Sequence, residues 1–205
     1  MDNLTLPRKA RRLAKELLKQ AKENEPPITA DLQNLAREIS AEMVGLENKF
    51  KSEVSLIRKL LLLAGKDKTR QSFEQKLEKF ARLNNDSLRY TFILQSDEYA
   101  KGFQNAVEKL KHNGFIISSN RIWNAWENAE TAKDTGYRGI NITIISSQNQ
   151  RFELQFHTAE SFRLKTETHH FYEELRDLKT SDERRKEIIA EMLKLAKEVK
   201  CPEGI

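Results

Sequence analysis

Apolar positions along this chain follow two rhythms, and the change between them divides it. Over residues 4–24, Leu13, Leu17 and Leu18 fall on one side of a basic stretch, which predicts a helix. "ENEPPIT" is expected to break it, because Pro26 and Pro27 lack the N–H that helical bonding needs. Thr29 or Asp31 then caps a second helix. There Leu32, Leu35, Ile39, Met43, Leu46, Phe50, Val54 and Ile57 recur at steps of three and four, predicting one long amphipathic helix or two helices meeting near 51–52.

From Gly65 the rhythm changes. "SLRYTFIL" (87–94), "FIISSN" (115–120), "GINITIIS" (139–146) and "RFELQFH" (151–157) read as strands, with "SSQNQ" as the hairpin turn between the last two. A helix over 97–113 turns Tyr99, Phe103, Ala106, Val107 and Leu110 inward and stops at Gly114. Another helix covers 159–177. A terminal helix opens on Ser181, Asp182 and Glu183 and buries Ile188, Ile189, Met192, Leu195 and Val199. The expected fold is α+β: a small mixed β-sheet flanked by helices, with a basic N-terminal helical arm over 1–60. The sheet domain spans 61–180, and a C-terminal helix over 181–205 packs on it.

Composition narrows the class. A chain of 205 residues suits one domain with an appendage or two small ones. The net charge of +5 is concentrated in the first 80 residues and fits an anionic partner such as nucleotide or RNA. A single cysteine, Cys201, excludes a disulfide framework and suggests a reducing, cytoplasmic site of action. The longest apolar run, "LLLLAG", is too short to span a bilayer. The opening residues carry charges where a signal peptide needs apolar side chains, and export by another route stays open.

The chemistry concentrates around the predicted strands. In "RFELQFH", Phe152, Leu154 and Phe156 alternate with Glu153, Gln155 and His157, so one face lines up a carboxylate, an amide and an imidazole. The helix beyond repeats Ser161, Lys165, His169 and Tyr172 at helical spacing. Asp86 stands just before a strand that carries Arg89. "TGYRGIN" places Tyr137, Arg138 and Asn141 at another strand entrance. "GKDKTRQSFEQK" supplies Lys66, Lys68, Ser72 and Lys76. Two carboxylates on neighbouring strands, Asp86 and Glu153, suit Mg²⁺, a hard cation that takes one or two carboxylates plus substrate phosphates. Lysines and arginines neutralise polyphosphate, and an exposed Tyr offers a flat surface to a base.

In order, these stretches resemble the synthetase domain of RelA/SpoT-type alarmone synthetases, within the nucleotidyltransferase superfamily. That family carries G-R-x-K-x-x-x-S-x-x-x-K; Gly65, Lys66, Lys68, Ser72 and Lys76 match the spacing, with Lys in place of Arg. Its Asp-led strand with an Arg is matched by Asp86 and Arg89, although Asn84 stands at the usual Asp distance. Its G-Y-x-S-x-H is matched by Gly136 and Tyr137, with Gly139 and Asn141 replacing Ser and His. Its E-x-Q-x-R-T is matched by Glu153, Gln155 and Thr158, with His157 for Arg, and His169 is placed as its helical His. The resemblance covers about residues 60–176. "NDSLRYT", "YRGIN" and "FELQFHT" look most like divergent domains of this type in bacterial toxins and effectors.

The resemblance implies a Mg²⁺-dependent pyrophosphokinase acting as a toxin or effector. It implies metal ligation and catalysis by Asp86 and Glu153. ATP phosphates would sit on Lys66, Lys68, Ser72, Lys76, Arg89 and His169. The acceptor, a purine nucleotide or an RNA 3′ end such as that of tRNA, would meet Tyr137, Arg138, Gln155, His157 and Asn141. An immunity, antitoxin or activating protein would be met through the helical arm. The rival readings are a non-catalytic nucleotide- or RNA-binding module of the same fold, or an interaction protein acting through its arm.

Overall fold

The computed structural model describes residues 8–126, 135–177 and 179–205. Its centre is a five-stranded sheet made of β1 (Glu42–Val44), β2 (Arg89–Ile93), β3 (Ile116–Asn124), β4 (Ile140–Ile145) and β5 (Arg151–His157), in the order β1-β2-β5-β4-β3. β2 and β5 run parallel and the other pairs are antiparallel, so the sheet is mixed, as expected. Around it lie α1 (Arg8–Glu38), α2 (Glu53–Lys66), α3 (Phe73–Arg82), α4 (Tyr99–His112), α5 (Ala159–Glu167), α6 (His169–Leu175) and α7 (Asp182–Ala196). No described helix is long and apolar enough to cross a membrane.

The period of two divides the sheet into an apolar and a polar face. Tyr90, Phe92, Ile140, Ile142, Ile144, Phe152, Leu154 and Phe156 form the main core with Ile28, Leu32 and Leu35 of α1 and with Ala106 and Leu110 of α4. Edge-to-face ring pairs knit it, Phe103 meeting Phe156 at 5.1 Å between centroids. A second core gathers Ala10 and Ala14 of α1, Leu56, Ile57 and Leu60 of α2, and Leu77 and Ala81 of α3.

Three expectations about the helices are corrected. The prolines do not break the first helix, which runs through both for 31 residues. A proline at position i leaves the carbonyl of i−4 without its donor. Here those residues, Lys22 and Glu23, are exposed, as are Pro26 and Pro27, so water satisfies what the helix cannot. Ile28, Leu32 and Leu35 beyond the prolines then anchor the helix on the sheet. The single long helix does not form either, although a helix does open at the alternative junction near 51–52, as α2 on its Ser52 cap. The backbone turns at Ser40 (φ 54°), and 42–44 add the edge strand β1, with Met43 opposite Phe92 of β2. The region 1–60 therefore contains a strand of the sheet as well as helices. Its steps of three and four masked a strand whose partner lies some 50 residues away in sequence. Finally, the helix expected over 159–177 is two. Thr168, buried, ends α5 and begins α6, and its hydroxyl bonds back to the Leu164 carbonyl at 2.8 Å.

Candidate active site

The polar face of the sheet floors a cleft of about 780 Å³. Strand register explains its composition, since residues paired across strands share a face. Arg89 of β2 pairs with Glu153 of β5, which pairs with Thr143 of β4. The next row holds Thr91, Gln155, Asn141 and Trp123. One wall is the start of α2 with the turn before it: Phe50, Lys51, Ser52 and Ser55. The other is α5 and α6 with Lys165, His169, Tyr172 and Arg176. The "TGYRG" loop closes one end with Gly136, Tyr137 and Arg138.

Gly136 is required where it stands. Its φ is +60°, and a Cβ there would lie 2.6 Å from Ala196 Cβ and 2.8 Å from the Met192 carbonyl oxygen. The loop carrying Tyr137 is thus seated directly on α7, whose buried face is Ile188, Met192 and Ala196.

Of the residues singled out in the sequence, Asp86, Arg89, Tyr137, Arg138, Asn141, Glu153, Gln155 and His169 line this one cleft. Lys66, Lys68, Ser72 and Lys76 do not. Ser72 caps α3 in a reciprocal capping box with Gln75, and Lys76 Nζ donates to the Asp67 carbonyl at 2.6 Å. Lys66 and Lys68 are exposed at the far end of α2. Ser72 and Lys76 serve the α2–α3 turn rather than the cleft.

Two other lysines reach the site through Asp86, and of these Lys51 lines the cleft. Lys51 Nζ lies 2.5 Å from one Asp86 carboxylate oxygen and Lys59 Nζ 2.8 Å from the other. The signal is present in the sequence. The pattern Lys-x-Lys-x-x-x-Ser-x-x-x-Lys occurs twice, at 66–76 and again as Lys49, Lys51, Ser55 and Lys59. The copy at 49–59 spans the start of α2, where Ser52 caps the helix and Ser55 faces the cleft. Helix N-terminal N–H groups and two lysines there favour an anion. Lys49, at the position of the family's Arg, is ion-paired with Glu25 of α1 at 2.9 Å.

The two carboxylates sit in opposite states. Burial pushes the Asp86 carboxyl up, but Lys59 and Lys51 outweigh it and hold it well below the usual range. Asn84 Nδ2 adds a hydrogen bond at 2.9 Å, so Asn84 supports Asp86 rather than facing the cleft. Burial raises the Glu153 carboxyl, the charge of Asp86 raises it further, and Arg89 opposes both. Glu153 accepts from Gln155 Nε2 at 2.7 Å and forms no ion pair among the described residues. Gln155 in turn accepts from Lys165 Nζ at 2.6 Å. In the sequence Lys165 stands out only for its helical spacing; the structure brings it into the site. Burial and Arg89 lower its pKa to about 8.

Glu153 suits Mg²⁺, which needs few protein ligands when substrate phosphates supply the rest, whereas both oxygens of Asp86, the other carboxylate expected to hold the metal, are taken by Lys51 and Lys59. Among the described residues no group of three or more His, Cys, Asp or Glu gathers for a metal, in the cleft or elsewhere.

His157 is corrected from acceptor contact to support. It is fully buried beneath the loop, between Ser161 Oγ (3.0 Å from Nδ1) and Tyr137 Oη (2.9 Å from Nε2). Burial and the charge of Lys165 lower its pKa to about 3, so it stays neutral. Tyr137 donates its hydroxyl hydrogen to Asn141 Oδ1 at 2.6 Å, and its ring stacks on Trp123 with centroids 5.0 Å apart and planes 16° apart. The hydroxyl is therefore a structural pin, in addition to the flat surface that the ring offers. Tyr137→Phe leaves Nε2 of buried His157 without its partner and is expected to cost about 1–3 kcal/mol of stability, read as a lower unfolding midpoint in denaturant. An unchanged midpoint would show that the pin carries nothing.

No family model matches the chain, and no curated protein matches its sequence. Solved structures do match. The small alarmone synthetase 2 from Bacillus subtilis superposes with a TM-score of 0.53 at 18% identity, covering 90% of this chain and 98% of that one. The small alarmone synthetase 1 from the same organism gives 0.55 at 12% identity, covering 89% and 86%. The same enzyme bound to its product pppGpp gives 0.55 at 14% identity, covering 89% of both chains. At these identities the likeness speaks for the fold, across nearly the whole of each chain. The chain has the α+β fold of the small alarmone synthetases, as the resemblance in its motifs implied.

Proposed function

We propose that the protein is a pyrophosphokinase that moves the β,γ-diphosphate of ATP to the 3′-hydroxyl of a purine nucleotide. The observation that carries this reading is the setting of Glu153. It is a half-buried carboxylate with a raised pKa, beside Arg89 on the floor of a cleft whose rim holds Lys51, Arg138 and Arg176. A polyphosphate fits the rim, and a proton acceptor sits below it.

The α2 side, with Lys51, Lys59 and the helix N-terminus, is assigned to the ATP phosphates, and Arg89 lies between that wall and Glu153. Tyr137 and Arg138 are assigned to the acceptor. Mg²⁺ held by Glu153 and by the substrate phosphates would supply further neutralisation of the transferring group. Glu153 takes the proton as the 3′-oxygen bonds to the β-phosphorus; the bond from that phosphorus to the bridging oxygen breaks, and AMP leaves with the oxygen. Little covalent chemistry is asked of the protein, so alignment and charge carry the catalysis.

An effector role is supported by the toxin-style motifs "NDSLRYT", "YRGIN" and "FELQFHT", since draining ATP or blocking tRNA 3′ ends would each arrest a cell. Such a role would call for an immunity protein in the producing cell.

Incubating the protein with Mg²⁺, labelled ATP and, in turn, GDP, GTP, ADP, ATP and deacylated tRNA tests the reading. AMP is expected with a nucleotide acceptor and a diphosphorylated product beside it. AMP with tRNA alone would move the acceptor to the RNA 3′ end. No AMP with any acceptor would sink the enzymatic reading.

A further inference from the structure

Lys165 faces the cleft from α5 but is not matched to any of the motifs that suggested the site. Its ammonium donates to Gln155 Oε1 at 2.6 Å, and Gln155 Nε2 donates to Glu153 at 2.7 Å. A side-chain amide has one accepting and one donating end, and either end can be swung to either side. A protonated lysine only donates. It therefore fixes the oxygen of Gln155 toward α5 and turns the NH₂ toward Glu153. The other close neighbour, the Thr91 hydroxyl, lies 3.4 Å from the same oxygen and could donate or accept, so it does not select an orientation. Phe162, one turn before Lys165, lies under the ammonium at 5.4 Å and helps hold it there.

We infer that Lys165 is a positioning residue that locks the Gln155 amide in the one orientation that holds the Glu153 carboxylate toward the cleft. The inference rests on Glu153 being the group that takes the acceptor proton. In the reversed orientation the amide oxygen would face the carboxylate and repel it, and Glu153 would rotate away. The residue acts through Gln155 and touches neither substrate.

Two measurements on the full chain test this, one independent of activity. In ¹⁵N side-chain amide spectra, the Gln155 NH₂ protons are expected to be well separated and slow to exchange. Lys165→Met should collapse them toward the values of an exposed glutamine, and Lys165→Arg should restore them. Unchanged Gln155 signals in Lys165→Met overturn the inference. In AMP release, Lys165→Met should lower kcat about tenfold with the KM for ATP unchanged, and Lys165→Arg should recover most of it. In a Gln155→Leu background the same change should have no further effect, because the two residues form one unit. Full additivity would mean that Lys165 acts on substrate directly, and would overturn the inference as well. A wild-type chain that releases no AMP with any acceptor defeats the pyrophosphokinase reading, while the amide spectrum still decides the lock.

Discussion

Replacing Glu153 by Gln is expected to lower the rate of AMP release by about 10²–10⁴ while the protein stays folded. The substitution keeps the size of the side chain and removes only its charge and its capacity to take a proton. Glu153 is half-buried on the polar face of β5, and no ion pair among the described residues is broken by neutralising it. Because burial and the Asp86 charge raise its pKa, the wild-type rate should fall, as pH drops, at a value above the ordinary glutamate range near 4.3. The ionised form is the active one, so activity is present above that point and lost below it. Near-normal AMP release by Glu153→Gln with every acceptor would remove this residue from the chemistry.

The second large effect separates the two copies of the lysine pattern. Lys51→Met and Lys59→Met should each lower kcat/KM for ATP by about 10²–10³. Lys66→Met and Lys68→Met should stay within about twofold, as for solvated surface charges. Lys59 lies at mid-helix and pairs with Asp86 in the cleft, whereas Lys66 is seven residues further on, about 10 Å along the axis. Unfolding midpoints must accompany the kinetics, because either methionine leaves the buried Asp86 with one cation instead of two. Small and equal effects in all four variants would mean that neither copy meets phosphate.

Much of this arrangement is legible in the sequence, for a physical reason. Strand β5 alternates apolar and polar residues throughout, and β2 and β4 do so up to their last residues, Ile93 and Ile145, so the pattern by itself puts Glu153, Gln155 and Arg89 on polar faces. The "TGYRG" glycines likewise signal a backbone that passes close to something, which proves to be α7 at Gly136 and β5 at Gly139. What stays hidden depends on contacts distant in sequence. Nothing local marks 42–44 as a strand, because β2 supplies its hydrogen bonds. Nothing local tells one lysine pattern from its repeat, because only the packing of α2 decides which copy faces Asp86. His157 shares the alternation of Glu153 and Gln155 yet is roofed by Tyr137. A period of two assigns a face; it does not say what covers that face.

The long first helix bears on how the site keeps its dimensions. α1 contributes Ala10 and Ala14 to the core behind α2, and Ile28, Leu32 and Leu35 to the core behind the sheet, yet none of its residues lines the cleft. It acts as a gauge rod, setting the gap between the lysines on one wall and Glu153 on the floor. Misplacing reacting groups by about 1 Å can cost on the order of a hundredfold in rate. Under the proposed function, turnover would be adjustable from a helix that lines no part of the cleft, and the proline pair at its middle is where the rod would be lengthened or bent.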